Sequence, residues 1–318
     1  MPDPTTTMKL SVCVVTYNHE KYLAEALDSI LMQEVDFPME IQIGEDRSTD
    51  NTLAVCREYE KRYPEIVRLH VNEKNLGYSW NFYRTMERCR GEYVAVLDGD
   101  DFWTDPLKLK KQVDFLDTHP EYAMCFSRYY VCDEDSKLGL ATGFSGNYDL
   151  NDVLTGKCPG TRTVVFRRKY LPVSLPPEYE QITYADHILL ALIARHGKIY
   201  GLNEPLAAYR MNPESIYTSN PFEMRLQNII KNYQLMKNVF PDKEQQKAID
   251  TGITNERIKL ERFYFFTCRP VKFVVNSVRL FLYDIRYLKT ALCKSWIIIG
   301  KTGLKVLLGK ITLKQAKI

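Results

Sequence analysis

Two hydrophobic periods alternate along the first hundred residues. A short β-branched and apolar run at 10–16 ends at Tyr17-Asn18 and predicts a strand. Leu23, Ala26, Leu27, Ile30 and Leu31 then recur at the spacing of one helical face. Residues 40–44 predict a second strand, and Ser48-Thr49-Asp50 offers oxygens to cap a helix carrying Leu53, Cys56 and Tyr59. A third strand is predicted at 66–71, and Gly77 leads a helix with Phe82, Tyr83 and Met86. The fourth, at 92–97, is apolar throughout from Tyr93 to Leu97, which suits the buried centre of a parallel sheet. Pro106, after Thr104-Asp105, opens another helix.

This alternation predicts an α/β fold, a mostly parallel Rossmann-like sheet flanked by helices with right-handed crossovers. Ligands of such sheets bind beyond the carboxyl ends of the strands. Three polar clusters fall there: Thr16-Tyr17-Asn18, Glu45-Asp46 and Asp98 to Asp101. The second half is less regular. Residues 131–150, rich in Gly, Asp and Ser, are expected to form loops, 161–166 a strand, and 185–194 an apolar-faced helix. Short strands are expected at Tyr200 and at 206–209, and a helical extension at 222–240 and 243–266.

Composition narrows the function classes. With 45% apolar and 26% charged residues over 318, the chain is neither disordered, collagen-like nor a multi-span membrane protein. The net charge of +3 hides a split: residues 269–318 hold 11 bases and one acid, the remainder 32 bases and 39 acids. An acidic body argues against nucleic acid, and a basic tail argues for a surface partner. Lys272, Arg279 and Arg286 lie near one helical stripe among apolar residues and Trp296. No stretch there reaches the roughly 18 uncharged residues of a bilayer span. The tail is expected to lie peripherally on the cytoplasmic face of a membrane, with packing against protein as the alternative. Eight cysteines without a C-x-x-C pair, and residues 1–7 without a basic, apolar leader, point to a reducing cytoplasm. Five histidines form no H-E-x-x-H pattern, so zinc has little support.

The strongest chemical signal is Asp98-Gly99-Asp100-Asp101, directly after an apolar strand. Clustered carboxylates repel one another, and a hard divalent cation, Mg²⁺ or Mn²⁺, relieves that repulsion and can bridge to substrate phosphates. A solvated acidic turn before a helix is the plainer alternative. In Glu45-Asp46-Arg47-Ser48-Thr49-Asp50, a strand-end carboxylate could accept a nucleobase N–H, or the cluster could simply cap the next helix.

Together these pieces resemble the family 2 glycosyltransferases, with their A-type glycosyltransferase fold. The resemblance rests on Val14-Val15-Thr16-Tyr17-Asn18, Glu45 to Thr52, Asn75-Leu76-Gly77 with Asn81, and Gly91 to Trp103, in order and in register. Ala185-Asp186 and Leu206-Ala207-Ala208-Tyr209-Arg210 extend it. It implies a catalytic domain at 9–215, with a nucleotide-sugar half (9–130) and an acceptor half (131–215). Flanking it would be a short extension at 1–8, helices at 216–268 and the basic tail at 269–318.

The implied activity is inverting transfer of a hexosyl or N-acetylhexosaminyl group from a nucleotide-diphosphate sugar, a UDP-sugar, in cell-surface polysaccharide synthesis. The acceptor would be a hydroxyl of a glycan or lipid-linked glycan. Thr16, Tyr17, Asn18, Glu45, Asp46, Asn75 and Asp98 would surround the donor, with Asp46 reading the base. Asp100 and Asp101 would bind the metal, Arg210 would face the diphosphate, and Asp186 would be the general base. A structural ion pair is the alternative for Arg210. Thr161-Arg162-Thr163 would face the acceptor, and Trp103 and Tyr184 could stack on a sugar or pack in the core.

Three positions depart from the family pattern: Glu45 where Asp is commoner, Ala185 where an acid often precedes the base, and Asn212 where many relatives carry His. Two rivals remain. A nucleotidyltransferase would want a basic Gly-rich loop after the first strand, which 14–20 lacks. A non-catalytic membrane-attached scaffold would not need Asp98, Asp100 and Asp186 together.

Overall fold

The longest apolar runs become the middle of a sheet. In the computed structural model, which describes residues 8–215, 217–267, 272, 275 and 276, β1 (Leu10–Thr16) is buried along its whole length. It is followed by α1 (Leu23–Leu31), β2 (Met39–Glu45), α2 (Thr52–Arg62), β3 (Val67–Val71), α3 (Tyr78–Glu87) and β4 (Tyr93–Asp98). Parallel β1 is paired on both edges, by β2 and β4, and every one of its residues is buried, so apolar residues on both faces follow. Leu23, Leu27 and Ile30 of α1 and Tyr59 of α2 join Val12, Val14, Ile41 and Ile43 in one core.

The chain continues through β5 (Phe102–Trp103), α4 (Lys108–Thr118), β6 (Tyr122–Cys132), β7 (Leu138–Thr142), β8 (Gly146–Tyr148) and α5 (Leu150–Leu154). Then come β9 (Val165–Arg167), α6 (Ala185–Ala194), β10 (Lys198–Arg210), α7 (Phe222–Val239) and α8 (Lys243–Phe266). Strand order is β3-β2-β1-β4-β9-β6-β10-β5, with β7 on β6 and β8 on β10. The order reverses between β1 and β4, the place where open α/β sheets leave a crevice at their carboxyl ends. Val15 pairs with Asp98 there.

Several expectations need correction. Residues 131–150, expected as loops, include the end of β6 and the strands β7 and β8. β7 is largely solvent-exposed and held by backbone pairing to β6, so its side chains carry no apolar period. The strand expected at 161–166 is a 3-10 turn at Thr161–Thr163 followed by β9. Tyr200 and 206–209 belong to one long strand, β10, whose register shifts on either side of Pro205. The pattern gave no warning of β6.

Two compact units result. The first comprises residues 8–153, 157–180 and 184–219 and holds the whole sheet; the second takes 154–156, 181–183 and the described residues from Asn220 onward. In the second, α7 and α8 pair, and Asp242 caps α8 by accepting the Glu244 N–H at 2.8 Å. Lys272 pairs with Glu223 at 2.7 Å, also within this unit. Apart from Lys272, Val275 and Asn276, the expected tail at 269–318 lies outside the described residues. Among the described residues no helix is long and apolar enough to cross a membrane. None of the six described cysteines is disulfide-bonded, and Cys13, Cys56, Cys89, Cys125 and Cys132 are buried.

One buried cation sits in this frame. Lys108, at the start of α4, is fully buried; its Nζ donates to Gln112 Oε1 at 2.7 Å and lies 4.3 Å from the Trp103 ring centroid. Burial pushes its pKa down to about 7. Between pH 7 and 10 the unfolded chain therefore binds a proton that the native chain does not, and stability gains with rising pH. Relative to Lys108→Met, wild-type stability should rise by about 1 kcal/mol per pH unit across that window. Urea unfolding of both proteins at pH 7, 8 and 9 measures it, and parallel curves would contradict it.

Candidate active site

The loops leaving β1 and β2 are laced together. Asn18, at φ 55°, accepts the Thr49 N–H at 2.8 Å, and its own N–H donates to Ser48 Oγ at 3.1 Å. His19 N–H donates to Thr52 Oγ1 at 2.7 Å, and Asn51 N–H to Glu20 Oε2 at 2.8 Å. Glu45 is fully buried and accepts the Ser48 and Arg47 N–H groups at 2.6 and 3.2 Å. Asn18 and Glu45, both expected against the donor, tie these loops together. Asn18 Oδ1 and both Glu45 carboxylate oxygens accept backbone N–H groups.

Asp46 is also anchored. Its Oδ1 accepts Leu76 N–H at 2.8 Å and Asn72 Nδ2–H at 2.9 Å, while Oδ2 accepts Gly77 N–H at 2.9 Å. It thereby fastens the loop that carries Asn75. Tyr17 and Asn75 remain exposed beside it. Thr16 is buried, its Oγ1 3.3 Å from Nδ1 of His19.

The three carboxylates after β4 have separate surroundings. Asp101 is fully engaged: Oδ2 pairs with Arg162 Nε, and Oδ1 accepts Arg210 N–H at 2.9 Å. The Arg162 guanidinium lies 4.2 Å from the Tyr209 ring centroid and 5.0 Å from that of Tyr129. Asp101, expected at the metal, is thus the anchor of a buried ion pair. Burial, opposed by Arg162 and reinforced by Asp100, raises its pKa to about 6. Asp100 is 7% exposed, with Oδ2 3.3 Å from Asn212 Nδ2 and 3.8 Å from His19 Nε2.

Asp98 accepts only the Thr161 hydroxyl, at 3.1 Å, and its buried Oδ1 has no partner among the described residues. Burial and the charges of Asp101, Asp100 and Asp186, opposed by Arg162, push its pKa up to about 8. Asp186 thus stands near enough to Asp98 to be felt through the interior, although 88 residues separate them in sequence. It lies in the first turn of α6, partly exposed, and its carboxylate makes no hydrogen bond or ion pair with the described residues. An orphaned carboxylate oxygen beside Asp100, in an oxygen-rich set, fits a hard divalent cation.

Arg210, expected at the diphosphate with a structural ion pair as the alternative, is engaged by protein groups at each guanidinium nitrogen. Its Nη2 pairs with Glu25 at 2.5 Å, Nη1 donates to Glu134 O at 2.7 Å and Ser136 Oγ at 2.9 Å, and Nε donates to Asp100 O at 2.9 Å. Trp103 is buried and donates Nε1–H to Arg162 O at 2.9 Å, so it packs in the core instead of stacking on a sugar. Tyr184 meets Tyr217 edge-on at 5.7 Å. Thr161 and Arg162 face Asp98 and Asp101. Sequence reasoning passed over His19, because its neighbour Asp100 is 81 residues away and no local motif joins them.

A family model described as glycosyl transferase family 2 matches residues 11–171. The chain belongs to that family. An uncharacterized Mycobacterium tuberculosis protein is 38% identical over 213 residues, covering 66% of this chain and 61% of that protein. The family 2 chain therefore spans less than two thirds of that relative's length. A Bacillus subtilis protein, TuaG, named as a candidate teichuronic acid biosynthesis glycosyltransferase, is 30% identical over 209 residues, covering 65% of this chain and 81% of TuaG. Among solved structures, S. aureus TarS with UDP-GlcNAc superposes with a TM-score of 0.58 at 19% identity, over 89% of this chain and 93% of that one. The Pyrobaculum calidifontis mannosyltransferase PcManGT, with GDP-Man and Mn²⁺, gives 0.60 at 16% identity, over 96% and 83%. These likenesses bear on the fold, which is the A-type glycosyltransferase fold.

The ion-pair reading of Asp101 has a direct consequence. Asp101→Ala should cost about 3–5 kcal/mol, because Arg162 is left buried without its counter-charge. Equilibrium urea unfolding reads the loss, and one below about 1 kcal/mol would deny Asp101 this anchoring role.

Proposed function

We propose that this family 2 chain is a metal-dependent, inverting glycosyltransferase. Its donor is a nucleotide-diphosphate sugar, a UDP-sugar, and its acceptor a hydroxyl of a glycan or lipid-linked glycan in cell-surface polysaccharide synthesis. The observation that carries the reading is the carboxylate of Asp98 at the end of β4, which keeps a buried, orphaned oxygen close to Asp100 in sequence and also registers the charge of Asp186 at the start of α6. In this reading the Asp98 and Asp100 carboxylates serve the donor diphosphate, and Asp186, free of hydrogen bonds to the described residues, serves the acceptor. Support for the donor comes from TarS with UDP-GlcNAc and PcManGT with GDP-Man, and for the pathway from the name of TuaG.

The chemistry then assigns roles. The acceptor hydroxyl attacks the anomeric carbon as the sugar–phosphate bond breaks, and its proton passes to Asp186. A single displacement of this kind inverts the anomeric centre and needs one base. Thr16, Tyr17, Asp46 and Asn75 form the strand-end wall for the nucleoside, with Tyr17 and Asn75 exposed to contact it. Asp100 would hold the cation and Asp98 lie at the donor beside it, while Asp101 keeps Arg162 in place. A bound Mg²⁺ or Mn²⁺ neutralises the charge that develops on the leaving diphosphate.

Two measurements follow. Asp186→Asn should lower transfer by 10²–10⁴-fold while sparing stabilisation by sugar nucleotide with Mn²⁺ in a thermal-shift assay. Lost binding would make Asp186 structural, and unchanged turnover would remove it as the base. The basic tail places the enzyme at a membrane surface in this reading. Full-length protein should sediment with vesicles containing anionic lipid and not with purely zwitterionic ones, and 0.5 M salt (roughly a 4 Å screening length) should release it. Equal binding to both vesicle types would exclude the electrostatic surface role.

A further inference from the structure

We propose that His19 is a nitrogen ligand of the cation held by Asp100, an inference that rests on the metal-dependent donor site proposed above. His19 Nε2 and Asp100 Oδ2 lie 3.8 Å apart, within reach of one cation, and the two side chains are only 16% and 10% exposed. On the opposite side of the ring, Nδ1 is 3.3 Å from Thr16 Oγ1. With the Nδ1 proton donated to that hydroxyl, Nε2 turns its lone pair toward Asp100. A metal-bound histidine is commonly fixed this way, by a hydrogen bond at its other nitrogen.

The backbone is built to admit the ring. His19 N–H is tied to Thr52 Oγ1 at 2.7 Å. A Cβ on Gly99 would fall 2.8 Å from both His19 Nδ1 and Thr16 Oγ1, so the absence of a side chain between Asp98 and Asp100 lets the imidazole lie against that turn. Asn212 does not supply the nitrogen. Its Oδ1 accepts Glu214 N–H at 3.0 Å, which turns the NH₂ group toward Asp100 at 3.3 Å. An amide NH₂ donates hydrogen bonds and does not ligate. Asn212 orients Asp100, and His19 completes the pair.

Among the described residues no group of three His, Cys, Asp or Glu side chains is arranged to hold a metal alone. A pair of protein donors leaves the remaining positions to diphosphate oxygens and water, the usual arrangement for nucleotide-borne cations. Cation and nucleotide should therefore bind together, and the nitrogen donor should favour Mn²⁺ over Mg²⁺, whose preference is for oxygen.

Mn²⁺ titrated into full-length protein, alone and with saturating UDP or GDP, can be followed by electron paramagnetic resonance. Nucleotide should tighten Mn²⁺ binding, and the echo-modulation spectrum of bound Mn²⁺ should show a directly coordinated ¹⁴N. In His19→Gln that coupling should vanish and Mn²⁺ affinity fall at least tenfold, on the order seen when metal-site partners are removed. The metal-free thermal midpoint monitors folding of the variant. Bound Mn²⁺ without nitrogen coupling in the wild type, or coupling that survives in His19→Gln, overturns the proposal while the donor reading stands. Absence of Mn²⁺ binding with or without either nucleotide defeats both. Should His19→Gln not fold, the wild-type spectrum alone decides.

Discussion

Repulsion among the carboxylates at the end of β4 is the constraint to which the site is fitted. Asp98, Asp100 and Asp101 leave the most buried region of a parallel sheet, where water cannot screen them. Each is compensated differently. Asp101 has a guanidinium and a backbone N–H, Asp100 an amide and an imidazole, and Asp98 a single hydroxyl. The residual deficit sits on Asp98, and it appears as an orphaned oxygen and a raised pKa. Charge compensation is thus complete at Asp101 and incomplete at Asp98, the side to which the proposed donor is assigned.

Arginine geometry makes that gradient possible. Arg210 reaches α1 through Glu25, the turn after β6 through Glu134 and Ser136, and the acidic turn through Asp100 O. A planar fork with several donors can hold three chain segments in fixed relation, which a lysine cannot. Across the crevice, the β1 and β2 loops are joined by Asn18, Glu20 and Glu45, and Asp46 draws in the loop before α3. Polar side chains near the site thus fall into two kinds. Those whose atoms are engaged by backbone hold the walls, and those left at least partly exposed without such bonds, such as Tyr17 and Asp186, can meet ligands.

How much of this was legible in the sequence depends on the range of the interactions. The first four strands and their helices could be read because burial on both faces imposes continuous apolar runs, and α3 and α6 lie where their patterns put them. β7 could not be read, because an exposed strand is held by backbone bonds that impose no side-chain pattern. The same holds at the site. Strand ends mark where chemistry gathers, so Thr16, Asp46, Asp98 and Asp100 were found as a set. Their individual assignments were less secure, since a carboxylate has the same letter whether it meets a ligand, as Asp100 is proposed to, or an arginine, as Asp101 does.

The sequence by itself determined the sheet's parallel core, the family and the group of acidic strand ends, because these follow from local period and adjacent residues. Only the tertiary structure decided that Asp101 and Arg210 form ion pairs with Arg162 and Glu25, that Glu45 and Asn18 lace loops, and that His19 faces Asp100. Those outcomes depend on contacts between residues tens of positions apart. Hydrogen-bond partners and burial at that range are set by how the whole sheet closes, and local spacing carries no record of them.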